Sequence, residues 1–369
     1  MSAFHPKADM CGATRDVRFG PIADINGCFS SALAVIAFYP ASPDRSIAPE
    51  PLYAAEGASR HMKIVMMAAG GVGGYYGARL AAADEDVHFI ARGAHLAALR
   101  TNGLKLISAN GDLHLRPIQA TDDPAMIGTA DIVIFAVKQY DTAAAANLIA
   151  PLIDDETAVI SIQNGMDPQG KLKTIVGREH VMGGATYITG AKVMSPGIIT
   201  HTGSIARLVF GEYDGSFSSR GERFLNACTK AEIDALFSTN VIKEMWAKFA
   251  LLSAFSGVST MLHKAAGPIM SNPETRKLLR DAIAETVAVA KAKGIDLGDD
   301  YVAKHGDFYA SIPADTRSSM LMDLENGRPL ELNWLSGAVA RFGDELGVPT
   351  PTHHAIYGAL KLAAEGRPV

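Results

Sequence analysis

The sequence predicts an α/β N-terminal domain built on a parallel sheet, residues 62–239, followed by an all-α C-terminal domain, residues 240–369. Four observations predict this division. Short apolar runs alternate with helical patterns from Met62 onward, which is typical of strands joined by crossover helices. A glycine cluster follows the first of these runs. After Asn240 the pattern becomes helical, and a chain of 369 residues has the length expected of two domains.

The glycine cluster predicts a binding site for a phosphate group. The apolar run Ile64–Met67 leads into A-A-G-G-V-G at Ala68–Gly73, and a helical pattern runs from Val72 to Ala83. A helix N-terminus stabilises an anion through its unpaired N–H groups and dipole, and glycines let the backbone approach closely. This arrangement starts a dinucleotide-binding unit, although Ala68 replaces the first glycine of the G-x-G-x-x-G pattern. We expect the cofactor to contact Gly70, Gly71, Val72 and Gly73.

The residue after the second strand distinguishes two cofactors. The predicted strand Val87–Ala91 ends where an Asp or Glu binds the ribose 2′-hydroxyl of NAD in this kind of unit. This chain has Arg92 there, and its planar charged group can hold a phosphate through two hydrogen bonds. The sequence therefore predicts the 2′-phosphate of NADP(H), and the alternative is a solvated surface arginine.

Two further strands end in polar residues. Asp131–Val137 is a continuous apolar run, as in a strand buried on both faces of a parallel sheet, and Lys138 follows it. The strand Thr157–Ile162 is followed by Gln163, Asn164 and Gly165. Ligands bind at the carboxyl ends of such strands, so we expect Lys138 and Asn164 to reach the cofactor or the substrate. The alternatives are a charge that closes a strand and a structural Asn-Gly turn.

The other β-like segments of the first domain are less regular. Leu104–Ile107 and Leu113–Leu115 flank Asn110-Gly111, a favourable hairpin turn. Val181–Thr189 and Ile198–Gly211, with their glycine breaks, are expected to complete the sheet as antiparallel strands. His201 lies in the second of these segments, and we interpret it as structural.

One helix of the C-terminal half is apolar along most of its length. Val241–Leu262 is polar at its start and nearly all apolar after Lys248, which predicts a buried helix. A partly desolvated lysine has a lowered pKa and can exchange a proton near neutral pH, so Lys248 is a candidate acid–base group. The alternative is a lysine that extends to the helix surface. Further helices are predicted from Asn272 to Lys293, over Leu332–Leu346 with Glu331 at its start, and after Pro351.

Seven short motifs, in this order, resemble the ketopantoate reductase (2-dehydropantoate 2-reductase) family. The resemblance covers Met62 to about Ala364. It rests on the glycine turn with G-G-Y-Y-G, Arg92, Val137-Lys138, Gln163-Asn164-Gly165, Trp246-x-Lys248-Phe249, Ser318-Ser319-Met320-x-x-Asp323 and Gly327-Arg328-x-x-Glu331. The family implies a Rossmann-type domain followed by an all-α domain, with the active site in the cleft between them.

The resemblance also implies a reaction and roles for the matching residues. The family reduces the C2 ketone of 2-dehydropantoate with NADPH, in pantothenate and coenzyme A biosynthesis. By resemblance, Lys248 is the catalytic lysine, and Glu331 is the acid that hydrogen-bonds near it and helps hold the substrate hydroxyl. The remaining implied contacts are Ser319 with the substrate carboxylate, Asn164 and Lys138 with nicotinamide and substrate, and Arg92 with the 2′-phosphate.

Two positions depart from the pattern of the family. It usually carries Asn four and eight residues after the catalytic lysine, where this chain has Leu252 and Ser256. We expect a more apolar pocket, which can reject the usual substrate because a hydrogen-bond partner is lost. The alternatives are a reductase of the family for another 2-oxo acid and a non-catalytic NADP(H)-binding protein. The expected substrate-binding set is Asn164, Lys248, Ser256, Ser319 and Glu331.

Composition argues against several other classes of protein. The formal net charge of −5 provides no basic surface for nucleic acid. The three cysteines show no C-x-x-C spacing, and the eleven histidines include no H-E-x-x-H, so neither a disulfide framework nor a metal site is expected. No run of 18 apolar residues occurs, and no membrane span is expected. We expect a cytoplasmic protein, for which a homodimer is compatible with the buried helices but not required by them.

Residues 1–61 differ from the rest of the chain. They are rich in Pro, Ser, Ala and Gly and show no sustained period. They are expected to be a disordered leader or the product of an upstream start codon, with Met62 as the functional start. A secretory signal is disfavoured because the apolar stretch Phe29–Tyr39 begins late and no clear cleavage site follows it.

Overall fold

The computed structural model describes residues 61–166 and 168–367, so the prediction of a leader over residues 1–61 lies almost wholly outside the described residues. An eight-stranded sheet organises the N-terminal part. Its strands are β1 (Lys63–Met67), β2 (Asp86–Ile90), β5 (Gln119–Thr121), β6 (Ile132–Phe135), β7 (Ala158–Ser161), β8 (Val181–Ile188), β11 (Ala206–Gly211) and β12 (Asp234–Phe237). Their order is β12-β11-β8-β7-β6-β1-β2-β5, and only β8 and β11 pair antiparallel. The prediction of an α/β Rossmann-type domain is confirmed.

Helices connect these strands. They are α1 (Gly71–Ala82), α2 (Gly93–Asn102), α3 (Thr142–Leu148), α4 (Pro168–Val176) and α5 (Ser219–Lys230). The first unit, β1-α1-β2, follows the predicted bounds closely because each element has a strong local signal: buried apolar strands and a glycine turn between them. The helices α2, α4 and α5 were not predicted, because they are less apolar than α1.

A second sheet of four strands packs beside α1. It contains β3 (Leu104–Ser108), β4 (Leu113–Leu115), β9 (Ala191–Ser195) and β10 (Ile198–His201), in the order β4-β3-β10-β9. The predicted hairpin is confirmed, since β3 and β4 pair antiparallel.

The expectation that Val181–Thr189 and Ile198–Gly211 complete the main sheet as antiparallel strands is wrong in two respects. The second segment divides at a bend, and its first half, β10, joins the small sheet, where it runs parallel to β3. At that bend Gly203 N donates to Thr189 O at 3.2 Å. The strand β8 runs parallel to β7 and antiparallel only to β11. Apolar alternation specifies which side chains face a core, but not which strands pair.

The C-terminal part is helical, as predicted. Its helices are α6 (Val241–Leu262), α7 (Ala266–Ser271), α8 (Pro273–Ala292), α9 (Tyr301–His305), α10 (Ser319–Glu325), α11 (Ser336–Leu346) and α12 (Pro351–Leu360). The expected continuous helix after Glu331 is wrong in detail. Residues Glu331–Trp334 form a 3-10 turn, and α11 begins only after Leu335, whose φ of −108° and ψ of −102° are not helical.

The long helix α6 lies at the centre of the helical part. Asn240 caps it by accepting a hydrogen bond from Lys243 N, and most of its residues from Met245 onward are buried. By length and composition it is the single helix among the described residues that could cross a membrane, and 78% of its apolar window is buried inside the molecule. That burial is the environment of a core helix.

The helical part contacts the sheet through the start of α6 and β8. A Cβ atom at Gly183 would lie 2.9 Å from Val241 Cγ1 and 3.0 Å from Met245 Sδ, so a glycine is needed for this close approach. The contact places Lys248, one turn further along α6, beside the loop that follows β7.

Candidate active site

The glycine turn leaves one open side at the N-terminus of α1. A Cβ atom at Gly73 would lie 2.0 Å from Ala68 O, and one at Gly71 would lie 2.6 Å from Ala191 O. These two glycines therefore permit close packing of α1 against β1 and β9. A Cβ at Gly70 would meet nothing within 4 Å. No acidic residue lies in the first helical turn, so the positive end of the dipole is not neutralised.

Arg92 lies beside this turn. It follows β2, which pairs in parallel with β1, and it is the residue that precedes α2. Its side chain is exposed and makes no hydrogen bond or ion pair with any residue that the structure describes. An open glycine turn and an uncommitted guanidinium at the same sheet edge fit a dinucleotide with a phosphate on its ribose.

Lys138 joins the two halves of the molecule through two carboxylates. Its Nζ donates to Asp323 Oδ2 at 2.8 Å and to Glu331 Oε2 at 3.2 Å. Both carboxylates are buried, and the lysine side chain is 37% exposed. Burial lowers the pKa of Lys138, but the charges of Glu331 and Asp323 outweigh it and raise that pKa above its usual value. This ammonium therefore stays charged at physiological pH.

Lys248 has a different environment. Its Nζ donates to Asn164 Oδ1 at 3.0 Å, in the loop after β7. Burial lowers the pKa of Lys248 to about 8, and the Glu331 carboxylate opposes this shift. A neutral amide partner does not restore the charge as a carboxylate would. This lysine can consequently give or take a proton near neutral pH.

The structure does not place every predicted residue as expected. Glu331 bonds Lys138 and Gln139 N rather than Lys248, because the Lys138 ammonium lies within reach of its carboxylate. Val72 is partly buried and packs against the N-terminal core.

Two serines of the predicted substrate-binding set form no side-chain hydrogen bond with either lysine. The Ser319 side chain is exposed and forms no hydrogen bond among the described residues, whereas Ser318 caps α10 by accepting from Leu321 N at 3.1 Å. Ser256 is fully buried, and its hydroxyl has no partner in the described part of the chain.

A small cavity lies beside Lys248 and is lined largely by apolar side chains, including Met245, Phe249 and Leu252. Leu252, four residues after the lysine, thus borders the space next to the ammonium, as its departure from the family pattern suggests. No group of three or more His, Cys, Asp or Glu among the described residues is arranged to hold a metal ion.

Sequence reasoning missed two residues of this cluster as site residues. Asp323 belongs to the motif Ser318-Ser319-Met320-x-x-Asp323, and its place in that motif is the signal that could have identified it. Gln139 is buried and contacts both Glu331 and Asn164, yet nothing in the sequence distinguishes it apart from its position after Lys138.

These features are typical of an NAD(P)-dependent oxidoreductase: an open glycine turn, an arginine beside it without a partner among the described residues, and a partly buried lysine. Two sequence models match: "Ketopantoate reductase PanE/ApbA" over residues 64–215 and its C-terminal counterpart over residues 240–364. The chain therefore belongs to the ketopantoate reductase family, as the sequence motifs predicted.

The similarity to known relatives extends over nearly their whole length. A 2-dehydropantoate 2-reductase of Mesorhizobium japonicum is 31% identical over 329 residues, covering 83% of this chain and 99% of the relative. The crystal structure of 2-dehydropantoate 2-reductase from Geobacter metallireducens has a TM-score of 0.77 at 29% identity, covering 82% of this chain and 100% of that one. A D-mandelate dehydrogenase solved with NADH and anilino(oxo)acetate shares the fold, with a TM-score of 0.75 at 20% identity, covering 82% of this chain and 98% of that one.

Membership of the family establishes the general chemistry. The chain is an oxidoreductase acting on CH–OH groups, and ketopantoate reductases use NADPH. A small 2-oxo acid is the kind of substrate that fits this family.

Proposed function

We propose that this chain catalyses the reduction of 2-dehydropantoate to pantoate by NADPH, in the biosynthesis of pantothenate and coenzyme A. The proposal rests on the environment of Lys248. Its ammonium donates a hydrogen bond to Asn164 beside a small cavity, and burial lowers its pKa to about 8. Relatives named 2-dehydropantoate 2-reductase, matched over nearly their full length, support this substrate. We also propose that residues 62–239 form the cofactor domain, residues 240–369 the substrate domain, and that the enzyme acts in the cytoplasm.

The cofactor contacts follow from the glycine turn and its neighbours. Gly70 and the N-terminus of α1 would hold the pyrophosphate, and Arg92 the 2′-phosphate. Asn164 and Lys138, at the carboxyl ends of β7 and β6, would lie near the nicotinamide. When bound, NADPH supplies the hydride.

Lys248 would then complete the reduction. As C2 of the ketone gains a hydride, the electron pair of its C=O bond moves to the oxygen. The Lys248 ammonium stabilises this growing charge and transfers one proton to it, which leaves a hydroxyl group and a neutral amine. Water returns the proton to Lys248 after product release. Asn164, by accepting from Nζ, holds the lysine in place for this transfer.

The carboxylates have a supporting role in this proposal. Glu331 holds Lys138 charged and, through its own charge, opposes the loss of the proton from Lys248. Glu331 and Ser319 are proposed to contact the substrate hydroxyl and carboxylate, respectively. For Ser319 this requires the substrate to reach the exposed start of α10.

A second candidate is the reduction of another, more apolar 2-oxo acid on the same scaffold. Leu252 favours it, because this side chain borders the cavity next to Lys248 and offers no hydrogen bond. Ser256 supplies a hydroxyl, but that group is fully buried.

Turnover with a panel of 2-oxo acids tests both candidates. NADPH oxidation is followed by absorbance with ketopantoate and with apolar 2-oxo acids of similar size. We expect turnover of ketopantoate, and in Lys248→Ala a loss of kcat of about 10²- to 10⁴-fold with NADPH binding nearly intact. Lys243→Ala, an exposed lysine at the start of α6, is the matched control and should behave as the unmodified enzyme.

The outcomes separate the readings. Turnover of only an apolar acid overturns the proposed substrate and supports the second candidate. Tight NADPH binding without turnover of any acid indicates the non-catalytic alternative. Loss of NADPH binding in Lys248→Ala shows that the lysine is structural.

A further inference from the structure

Gln139 connects the partners of both active-site lysines. It follows Lys138 directly, begins a short 3-10 turn and is 3% exposed. Its backbone N donates to Glu331 Oε1 at 3.2 Å, and its side-chain Nε2 donates to the carbonyl oxygen of Asn164. One residue thus fixes the carboxylate that binds Lys138 and the peptide whose side chain binds Lys248.

The direction of the Gln139 amide is determined by its surroundings. Only the NH₂ group can face the Asn164 carbonyl, since two oxygens would repel each other. The amide oxygen of Gln139 is then buried and has no partner among the described residues. A buried acceptor in this state is costly, and the side chain is held here by its donor contact to Asn164.

A second set of contacts fixes the same turn. Thr142 Oγ1 donates to Gln139 O at 2.8 Å, and Gln163 Nε2 donates to Thr142 Oγ1 at 2.9 Å and to Val137 O at 3.1 Å. The end of β6 and the end of β7 are therefore bound together by buried polar groups. The Gln139 contact is the one that reaches Asn164 itself.

We propose that Gln139 is a positioning residue for the reduction, which orients Asn164 and through it the Lys248 ammonium. The inference rests on the proposed function of Lys248 as proton donor. Free rotation of the Asn164 peptide would misdirect its side-chain oxygen, and the ammonium would lose an acceptor that favours its charged form. The charged group that bears on Lys248 in the described part of the chain is Glu331. Glu331 bonds Lys138, and Lys138 in turn bonds Asp323.

The test replaces the donor without changing the volume greatly. In Gln139→Met we expect kcat to fall about tenfold, the effect of one well-placed hydrogen bond, with the KM for NADPH nearly unchanged. In the profile of kcat against pH, the decline on the alkaline side (the alkaline limb) should move to lower pH by about half a pH unit or more. Gln119→Met is the matched control, because Gln119 lies on the edge strand β5 and, among the described residues, its amide bonds Asp86 and neither lysine nor Asn164.

A double variant tests whether the effect passes through Asn164. Asn164→Ala should give the same downward shift of the alkaline limb, and Gln139→Met combined with Asn164→Ala should add nothing to it. Additive shifts, or a drop in kcat with an unmoved alkaline limb, overturn the proposal. If Gln139→Met does not fold, Gln139→Asn, which keeps the amide but is too short to reach, takes its place with the same expected shift.

A readout that needs no turnover keeps this inference separate from the proposed function. The pH dependence of Lys248 modification by an amine-specific reagent, measured by mass spectrometry of its peptide, reports the titration of the lysine directly. A lower midpoint in Gln139→Met than in the unmodified enzyme supports the positioning role even where ketopantoate is not reduced. An identical midpoint overturns it, whatever the substrate.

Discussion

At the scale of single residues, two lysines of one cluster differ because their partners differ. Lys138 contacts two buried carboxylates, and their charges raise its pKa by more than burial lowers it. Lys248 contacts a neutral amide, and burial prevails. The same type of side chain is thus a fixed positive charge in one place and, in the other, a candidate proton donor.

The titration of Lys248 predicts a pH profile. In the proposed mechanism reduction needs the ammonium, so kcat/KM for reduction should fall as pH rises through about 8. Oxidation in the reverse direction needs the neutral amine, and its kcat/KM should rise there. Steady-state rates in both directions measure this. In Lys248→Arg, whose guanidinium does not titrate in this range, the residual activity should not decline as pH rises through about 8. A decline that persists in this variant must come from the titration of another group.

Arg92 predicts the choice of cofactor. Arg92→Ala should weaken NADPH binding about 10- to 100-fold and NADH binding hardly at all, because only NADPH carries the phosphate that the guanidinium would hold. Fluorescence titration with both cofactors measures the two dissociation constants. Arg178→Ala serves as control, because Arg178 is exposed and precedes the amino end of β8, whereas Arg92 follows the carboxyl end of β2. Equal weakening of NADPH and NADH contradicts the assignment.

At the scale of elements, helix α6 carries the catalytic candidate and shapes its pocket. Its start packs on Gly183 of β8, which brings Lys248 to the carboxyl end of the neighbouring strand β7. One turn later, Leu252 borders the cavity beside the lysine. A single helix therefore sets both the position of the proposed proton donor and the polarity around it.

The polarity of α6 predicts substrate preference. Leu252→Asn should raise kcat/KM for ketopantoate relative to an apolar 2-oxo acid by about tenfold, since the amide can bond the hydroxyl that only ketopantoate carries. Competition between the two acids measures the ratio. Leu252→Met keeps the volume and the apolar surface and should leave the ratio unchanged. If both variants shift it alike, packing rather than hydrogen bonding sets the preference.

At the scale of the whole molecule, buried polar groups connect the helices of the C-terminal core. His353 of α12 is fully buried, and its Nε2 contacts Ala282 O at 2.9 Å and Thr286 Oγ1 at 3.0 Å, both on α8. Glu285 of the same helix accepts from His353 N at 2.9 Å. Burial lowers the pKa of His353 to about 4, against backbone bonding and the charge of Glu285.

This histidine predicts a loss of stability in mild acid. The unfolded chain binds a proton at His353 below pH 6.5 and the folded chain only below about 4, so the free energy of unfolding falls as pH drops between these values. The contribution is about 3 kcal/mol by pH 4, at about 1.4 kcal/mol per unit. Urea unfolding from pH 7 to 4.5 should show a smaller decline in His353→Gln. His354→Gln, the exposed neighbour, should keep the full decline, and equal slopes in all three proteins contradict the prediction.

Much of the fold follows from local sequence, as the first βαβ unit and α6 illustrate. Apolar runs, a glycine turn and a capping Asn240 act over a few residues, so their bounds can be predicted. The partner of β10 could not be predicted, because the pattern of a strand specifies its buried face and not its neighbour.

The same division holds for the candidate site. The sequence by itself determined that Lys138 and Asn164 follow parallel strands, that Arg92 follows β2 and that Lys248 enters a buried helix. Only the tertiary structure decided that Glu331 bonds Lys138, 193 residues away, and that Asn164 bonds Lys248, 84 residues away. It also left Ser319 exposed and placed Gln139 in contact with both Glu331 and Asn164. Hydrogen-bond partners so distant along the chain are chosen by the packing of whole elements, which the local sequence does not encode.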